Sequence, residues 1–162
     1  MPLCYNKQME NKRNFYIALG LAGLAVLILV GGLVYKFWGG GSGNGGETKF
    51  EKVEAPKGQV SGDFPKELMV EADPLVKESY SLKYEAGNQP AVNYYSRFSV
   101  EENLRLFRDR LKTIGYKVTK DEKLQEGIYQ IYATRGNEQV NITVVHTNPT
   151  AMVNVIMAYV KM

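Results

Sequence analysis

The residues of this chain that could perform acid–base or metal chemistry are few and scattered. His146 is the only histidine, and it lies between Val145 and Thr147 in a predicted strand, with no cysteine or patterned acid nearby. A metal site needs several converging ligands, and acid–base catalysis needs a group positioned for proton transfer. Asp109 has no second carboxylate arranged beside it, and Glu102 already has a predicted role in capping a helix. The sequence therefore predicts no metal, no cofactor and no catalytic residues.

Two groups of side chains are candidates for binding a partner. Tyr94 and Tyr95 are adjacent in a predicted strand, so they point to opposite faces, and at least one should leave the side that a helix covers. Arg105, Arg108 and Lys112 lie on one stripe of a predicted helix, each one residue beyond an apolar position. The tyrosines fit either a recognition patch or ordinary sheet packing. The basic stripe fits either a site for an anionic polymer or a plain solvated face.

The helix that carries the basic stripe has clear boundary signals. Ser99-Val-Glu-Glu102 is a capping box, in which the Ser99 hydroxyl and the Glu102 carboxylate satisfy backbone donors at the first turn. Gly115 supplies a left-handed stop about 15 residues later. Glu101 lies four residues before Arg105, which predicts a favourable ion pair. One apolar stripe must pack against a second layer, and it comprises Val100, Leu104, Phe107, Leu111 and Ile114.

The second layer is a predicted antiparallel sheet, because six segments are rich in Val, Ile, Tyr and Thr and tend to alternate. The order β-β-α-β-β-β-β predicts an α+β domain with its single helix packed on one face. The polar residues at alternating strand positions are then expected on the exposed face, among them Asn93, Gln130, Asn141 and Asn154. Turns are predicted at 87–90, 136–137 and 148–150. The predicted strands are 79–84, 91–98, 116–120, 128–135, 139–147 and 151–160.

The distribution of charge argues against nucleic-acid binding. The whole chain has 20 basic and 17 acidic residues, for a net charge of +3. Residues 1–46 hold Lys7, Lys12, Arg13 and Lys36 against Glu10 alone, so they account for the entire excess. Residues 47–162 are therefore neutral overall and have no net positive charge that would attract a polyanion such as a nucleic acid.

A run without charge, Phe15–Tyr35, predicts a transmembrane helix. Its 21 residues would rise about 31 Å as a helix, which matches the thickness of the bilayer hydrocarbon. Gly39–Gly46 contains six glycines in eight residues and is predicted to be a flexible tether. The predicted organisation is a cytoplasmic segment at 1–14, an anchor at 15–38 that contacts the lipid bilayer from Phe15 to Trp38, a linker at 39–63 and a domain at 64–162.

The positive charges before the run predict a single-pass inner-membrane protein with a cytoplasmic N-terminus and an extracytoplasmic C-terminal domain. A cleaved signal peptide is the competing interpretation, but the run is long for one and no Ala-x-Ala site follows it. Cys4 precedes the run, whereas the lipid-bearing cysteine of a lipoprotein follows it. A pilin-like subunit would need a continuous helix, which the glycine run would break. We expect the anchor to be retained.

The sequence from Phe64-Pro65 onward, with Ser99–Val118 as its core, resembles a module of small, uncharacterised bacterial membrane-anchored envelope proteins. This chain departs from the module at Tyr116, where tryptophan is common, and in having only Phe107 before Arg108-Asp109. The resemblance implies an envelope location and carries no activity. The expected function is non-catalytic binding of an envelope protein or cell-wall component. A structural subunit of an envelope or pilus-like assembly, or an enzyme with a scattered site, remains an alternative.

Overall fold

The computed structural model describes residues 50–84 and 87–162 of the chain. The predicted cytoplasmic segment, anchor and glycine run lie outside these residues. Among the described residues, no helix has the length and apolar character needed to cross a membrane.

The described residues form one antiparallel sheet of seven strands with a single α-helix, which confirms the α+β prediction. The sheet order is β1-β2-β3-β7-β6-β5-β4. A short 3-10 helix, Lys66–Leu68, precedes β2, and the α-helix α1, Val100–Thr113, connects β3 to β4. The strands are β1 Glu51–Glu54, β2 Leu75–Tyr84, β3 Gly87–Ser96, β4 Lys117–Gln125, β5 Ile128–Arg135, β6 Glu138–Val145 and β7 Val153–Lys161.

The C-terminal strand β7 occupies the middle of the sheet. It pairs with β6 across a local turn and with β3 across more than fifty residues of chain, as in the pair Asn93 and Ile156. The first three strands and the last four are therefore joined at β3 and β7. The pairing at the centre of the sheet therefore depends on contacts between residues that are distant in sequence, not on a local turn.

Helix α1 begins and ends where the sequence predicts. The Ser99 hydroxyl accepts a hydrogen bond from the Glu102 backbone amide at 3.1 Å. Among the described residues the Glu102 carboxylate accepts no hydrogen bond from the Ser99 backbone amide, so only the Ser99 half of the capping box forms. At the other end, the Tyr116 amide donates to the Leu111 carbonyl at 2.8 Å and Gly115 has φ +82°. This pattern is a Schellman motif, in which glycine avoids the Cβ clash of the left-handed conformation.

The apolar stripe of α1 packs on one face of the sheet and forms the core. Phe107 and Leu111 are fully buried against side chains of the central strands, including Ile142 and Met157. Phe64 and Leu68, from the segment around the 3-10 helix, complete this layer. The predicted stripe is confirmed, and it fixes which face of every strand is the core face.

Two predictions near the start of the domain are wrong. Residues 51–54, predicted as part of the linker, form β1 and pair with β2 in the register Val53 to Ser81. The segment that follows is also part of the domain, because the Ser61 amide donates to the Ser79 hydroxyl at 2.9 Å. The stretch 87–90, predicted as a turn, lies in β3, since Gly87 pairs directly with Tyr84. Exposed strands and polar strand ends lack the alternation that marks a half-buried strand.

Candidate binding surface

The two candidate tyrosines lie on opposite faces, as their adjacency predicts. Tyr94 has 0% exposure and is part of the core, so its assignment as a partner-binding residue is wrong. Burial and the nearby Glu71 carboxylate raise the pKa of the Tyr94 hydroxyl, which has no hydrogen-bond partner among the described residues. Tyr95 has 37% exposure on the opposite face. The structure therefore separates the pair and leaves Tyr95 as the only accessible member.

The predicted basic stripe is largely neutralised by acids. Arg108 donates to both carboxylate oxygens of Asp121 on β4, at 2.6 and 3.0 Å, and this contact lowers the pKa of Asp121. Arg105 lies 3.6 Å from Asp109, one turn further along, rather than pairing with Glu101 as predicted. Lys112 is exposed at the end of the helix. Two of the three cations thus have acidic partners before any anionic ligand arrives.

The groups that could form a scattered catalytic site are held apart. His146 follows the end of β6, and its Nε2 lies 3.2 Å from the Ala151 carbonyl oxygen. It lines a surface groove at the start of α1, beside Ser99 and Glu101. Asp109 is eight residues further along the helix than Glu101, which places it about 12 Å away along the axis. His146 and Asp109 are therefore not brought together.

A buried polar network that the sequence did not reveal joins three segments of the chain. The Ser96 hydroxyl donates to the Glu71 carboxylate, and the Asn103 amide donates to Ser96 at 3.0 Å and to the Ser99 carbonyl at 2.9 Å. The Phe98 backbone amide also donates to Ser96. These contacts fix the start of α1 against the end of β3. The partners are far apart in sequence, so no spacing could have indicated them.

A second cluster fixes the other end of the helix. The Arg135 guanidinium donates to the Ile114 carbonyl at 2.8 Å and to Glu138 at 2.7 Å, and it lies 4.4 Å from the centre of the Tyr116 ring. The Tyr116 hydroxyl donates to Glu138 at 3.0 Å. Burial and this contact raise the pKa of Tyr116. Each group has a partner within the cluster, so the cluster stabilises the packing of helix on sheet.

The face of the sheet opposite α1 is chemically distinct from the rest of the surface. On the four central strands, alternation and register place sixteen side chains on this face, and not one is charged. At the chain's overall 23% charged residues, about four would be expected. We call these sixteen residues the uncharged face: Gln89, Ala91, Asn93, Tyr95, Ile128, Gln130, Tyr132, Thr134, Gln139, Asn141, Thr143, Val145, Asn154, Ile156, Ala158 and Val160.

The charges on this side of the sheet lie on the outer strands. On β2, the Glu78 carboxylate accepts from the Asn93 side-chain amide at 3.4 Å, and Lys77 Nζ lies 6.0 Å from the centre of the Tyr95 ring. Lys52 contacts Glu54 on β1 at 2.7 Å, and Lys120 contacts Glu122 on β4 at 2.7 Å. None of the sixteen residues belongs to the core cluster, yet nine of them are buried. The uncharged face is thus a closely packed surface of amides, hydroxyls and aliphatic groups between two charged edges.

Hydrogen bonding divides the uncharged face into two halves. Towards β5, the Gln130 amide donates to the Asn141 side-chain oxygen at 3.0 Å, and the Tyr132 hydroxyl donates to Gln139. Towards β3, the side-chain oxygens of Asn93 and Asn154 are buried and accept no hydrogen bond from the described residues. Leaving such a group unpaired costs on the order of 1–3 kcal/mol. The second half therefore contains two acceptors that are closed to solvent and unpaired within the described residues.

The two unused acceptors flank the accessible tyrosine. Tyr95 pairs with Asn154 across β3 and β7, and Asn93 pairs with Ile156 in the next position. We call these four residues the Tyr95 patch. Sequence alternation predicted an exposed tyrosine and polar neighbours here. It could not predict the juxtaposition, because β3 and β7 pair across more than fifty residues.

Comparison with known proteins adds no relative. No protein-family model matches the chain, and neither the curated proteins nor the solved structures contain a significant match.

Proposed function

We propose that the chain is a membrane-tethered extracytoplasmic domain of the bacterial envelope that binds a partner and catalyses no reaction. The observation that carries this proposal is the order of its parts. A 21-residue run without charge is followed by a glycine-rich segment and then by one α+β domain. Such an order suits a domain that captures a partner close to a membrane.

The non-catalytic part of the proposal is supported by the engagement of the reactive side chains. Asp109 pairs with Arg105, Ser96 donates to Glu71, and His146 contacts a backbone carbonyl. Among the predicted binding residues, Tyr95 is the best candidate because it is exposed on the face opposite α1. The proposed partner is an envelope protein or a cell-wall component, and nucleic acid is disfavoured by the neutral charge of residues 47–162.

Two experiments test the proposal. Alkaline phosphatase fused to the C-terminus should be active in intact cells, whereas green fluorescent protein fused there should be dark. The opposite pattern would place the domain in the cytoplasm and refute the topology. Crosslinking in intact cells followed by mass spectrometry should then recover a partner. A fixed stoichiometric complex containing several copies of the chain would favour a structural subunit of an envelope assembly instead.

The enzymatic alternative has its own test. His146→Ala and Asp109→Asn should leave partner capture and cellular function unchanged, because neither residue belongs to the uncharged face. Loss of function with normal folding and normal capture would mean that the domain is an enzyme after all.

A further inference from the structure

We infer that the chain forms a dimer through its edge strand β1, which pairs antiparallel with β1 of a second copy in a register centred on Val53. Strand β1 is the first in the sheet order, and among the described residues it has a neighbour, β2, on one side only. Such a strand presents backbone groups that a further strand can bond. This surface is separate from the proposed binding site, and the inference does not depend on that function.

The backbone groups at this edge are free in an alternating pattern. The Ala55 amide donates to the Ser79 carbonyl at 2.9 Å, which continues the register between β1 and β2. In an antiparallel ladder, every second residue bonds to one neighbouring strand and the residues between face the other way. Lys52 and Glu54 therefore direct their N–H and C=O groups away from β2, where the described part of the chain supplies no partner.

The large side chains of this edge lie over β2 and leave the far side open. The Lys52 ammonium is 4.7 Å from the centre of the Tyr80 ring, and the centre of the Phe50 ring is 5.9 Å from that of Tyr84. Both contacts are made with β2. A second strand can therefore approach the edge without displacing them.

The charges of β1 favour one register for pairing with itself. Residues of the same face must lie opposite one another, so the register can shift only in steps of two. Centred on Val53, the pairing places Lys52 opposite Glu54 of the second copy, twice in each dimer. The registers two residues away place Lys52 opposite Lys52, or Glu54 opposite Glu54. Because opposite charges across strands are favourable and like charges are unfavourable, β1 is self-complementary in the Val53 register.

The other edge of the sheet is less suited to pairing. Strand β4 has irregular register between Val118 and Lys120 and again between Lys123 and Gln125. Bulges of this kind twist an edge and disfavour the addition of a strand. Strand β1 pairs with β2 without a register shift. We therefore assign the dimer contact to β1.

The interface is small and suits copies that are already close together. Its four residues a side fall well short of the roughly 20–30 of a standard interface, so the dimer should be weak in dilute solution. Two copies held in one membrane by the predicted anchor would meet at a high effective concentration. A two-fold axis closes the pair at two copies, which distinguishes it from the larger assembly of a structural subunit.

Disulfide crosslinking tests the pairing, because a disulfide traps even a weak pair. Cys4, the only cysteine, is first replaced by serine. Val53→Cys then places two thiols opposite each other at a position where Cα atoms lie about 4.5 Å apart, within reach of a disulfide. Glu51→Cys is the matched control on the same strand, since its two copies would lie about 14 Å apart.

The full-length chain is concentrated in detergent and treated with a mild oxidant. We expect a disulfide-linked dimer from Val53→Cys and at least tenfold less from Glu51→Cys. Equal yields, or no dimer from Val53→Cys, would overturn the inference. The preparation needs neither another protein nor a particular membrane topology, so this inference can fail while the proposed function stands, and the reverse.

Charge reversal tests the register in the Val53→Cys background. Lys52→Glu places two acids opposite each other, and Glu54→Lys places two bases, so each should lower crosslinking about tenfold. A mixture of the two variants regains opposite charges and should form mixed dimers at the parental yield. Mixed dimers no more abundant than those of either variant alone would show that the register is wrong.

A proline tests the backbone contact in the same background. Glu54→Pro removes an amide that faces the open edge and leaves the bonds to β2 in place. It should abolish crosslinking, whereas Glu54→Ala, which loses the same charge and keeps the amide, should lower it only a few-fold. Equal yields from the two variants, with circular dichroism like the parent's, would mean that the edge backbone is not the interface.

Discussion

The two faces of this sheet use similar strands for different purposes. The face under α1 carries fully buried apolar side chains such as Ile142 and Met157, and its polar groups are mostly tied into networks at the two helix ends. The uncharged face carries amides and hydroxyls, seven of its sixteen residues are partly buried or exposed, and two of its buried acceptors have no partner among the described residues. Stability is therefore concentrated on one face. The other carries Tyr95, the accessible member of the tyrosine pair.

The largest expected effect is on the covered face. Phe107→Ala should reduce the free energy of unfolding by about 3–5 kcal/mol, because the ring has 0% exposure and its removal leaves a cavity. Urea unfolding of the full-length chain in detergent, followed by circular dichroism, measures this loss. A loss below 1 kcal/mol in the free energy of unfolding would show that packing of the helix contributes little to the stability of the core.

A neighbouring pair on β7 compares the faces directly. Met157 points into the core, whereas Ile156 lies on the uncharged face and is only partly buried. Met157→Ala should cost about 2–5 kcal/mol, and Ile156→Ala roughly half as much, since it removes less buried area. The same unfolding measurement applies to both. Equal costs would mean that the two faces are equally important for stability.

A smaller effect is expected where α1 is capped. Ser99→Ala should cost about 1 kcal/mol, because the Glu102 amide loses its acceptor. Ser99→Asp is the matched control, since aspartate also caps helices, and it should restore most of the loss. An alanine variant as stable as the parent would show that the buried network around Ser96 suffices to start the helix.

The smallest effect is a pH dependence at the contact between α1 and β4. The bidentate Arg108 contact lowers the pKa of Asp121 below its ordinary value of 3.8, so its stabilisation is complete above that value and is lost as pH falls through the folded-state pKa. Both groups are partly exposed, so the contribution should stay below about 1 kcal/mol. Asp121→Asn should reduce the dependence of the free energy of unfolding on pH below pH 4, as measured by urea unfolding at several pH values. An unchanged pH dependence would mean that the pair contributes nothing to stability.

Local signals made part of this fold predictable from sequence. The α1 boundaries follow from Ser99 and Gly115, and β5 has the predicted bounds because its alternation is strong and its turn contains Gly136. Strand β1 was missed because four exposed residues carry no burial pattern. The sheet order was out of reach because the pairing of β3 with β7 depends on contacts distant in sequence.

The candidate site was predictable only in outline. The alternation of Tyr94 and Tyr95 indicated that one of them would be accessible, and the polar alternates indicated a second face. Which oxygens lack partners depends on the register between strands and on competing donors such as Gln130. The basic stripe shows the same limit. Its spacing correctly predicted a shared helix face, but the acidic partner of Arg108 lies on β4 and could not be predicted from the helix sequence.

Site-specific photo-crosslinking in intact cells tests the central claim, that the uncharged face is where the partner binds. A photoreactive residue is placed at Tyr95 in one variant and at Lys112 in another, so that the two faces report separately. The account predicts abundant adducts from position 95 and background levels from position 112. Adducts from position 112 with none from position 95 would contradict it and return the binding site to the helix.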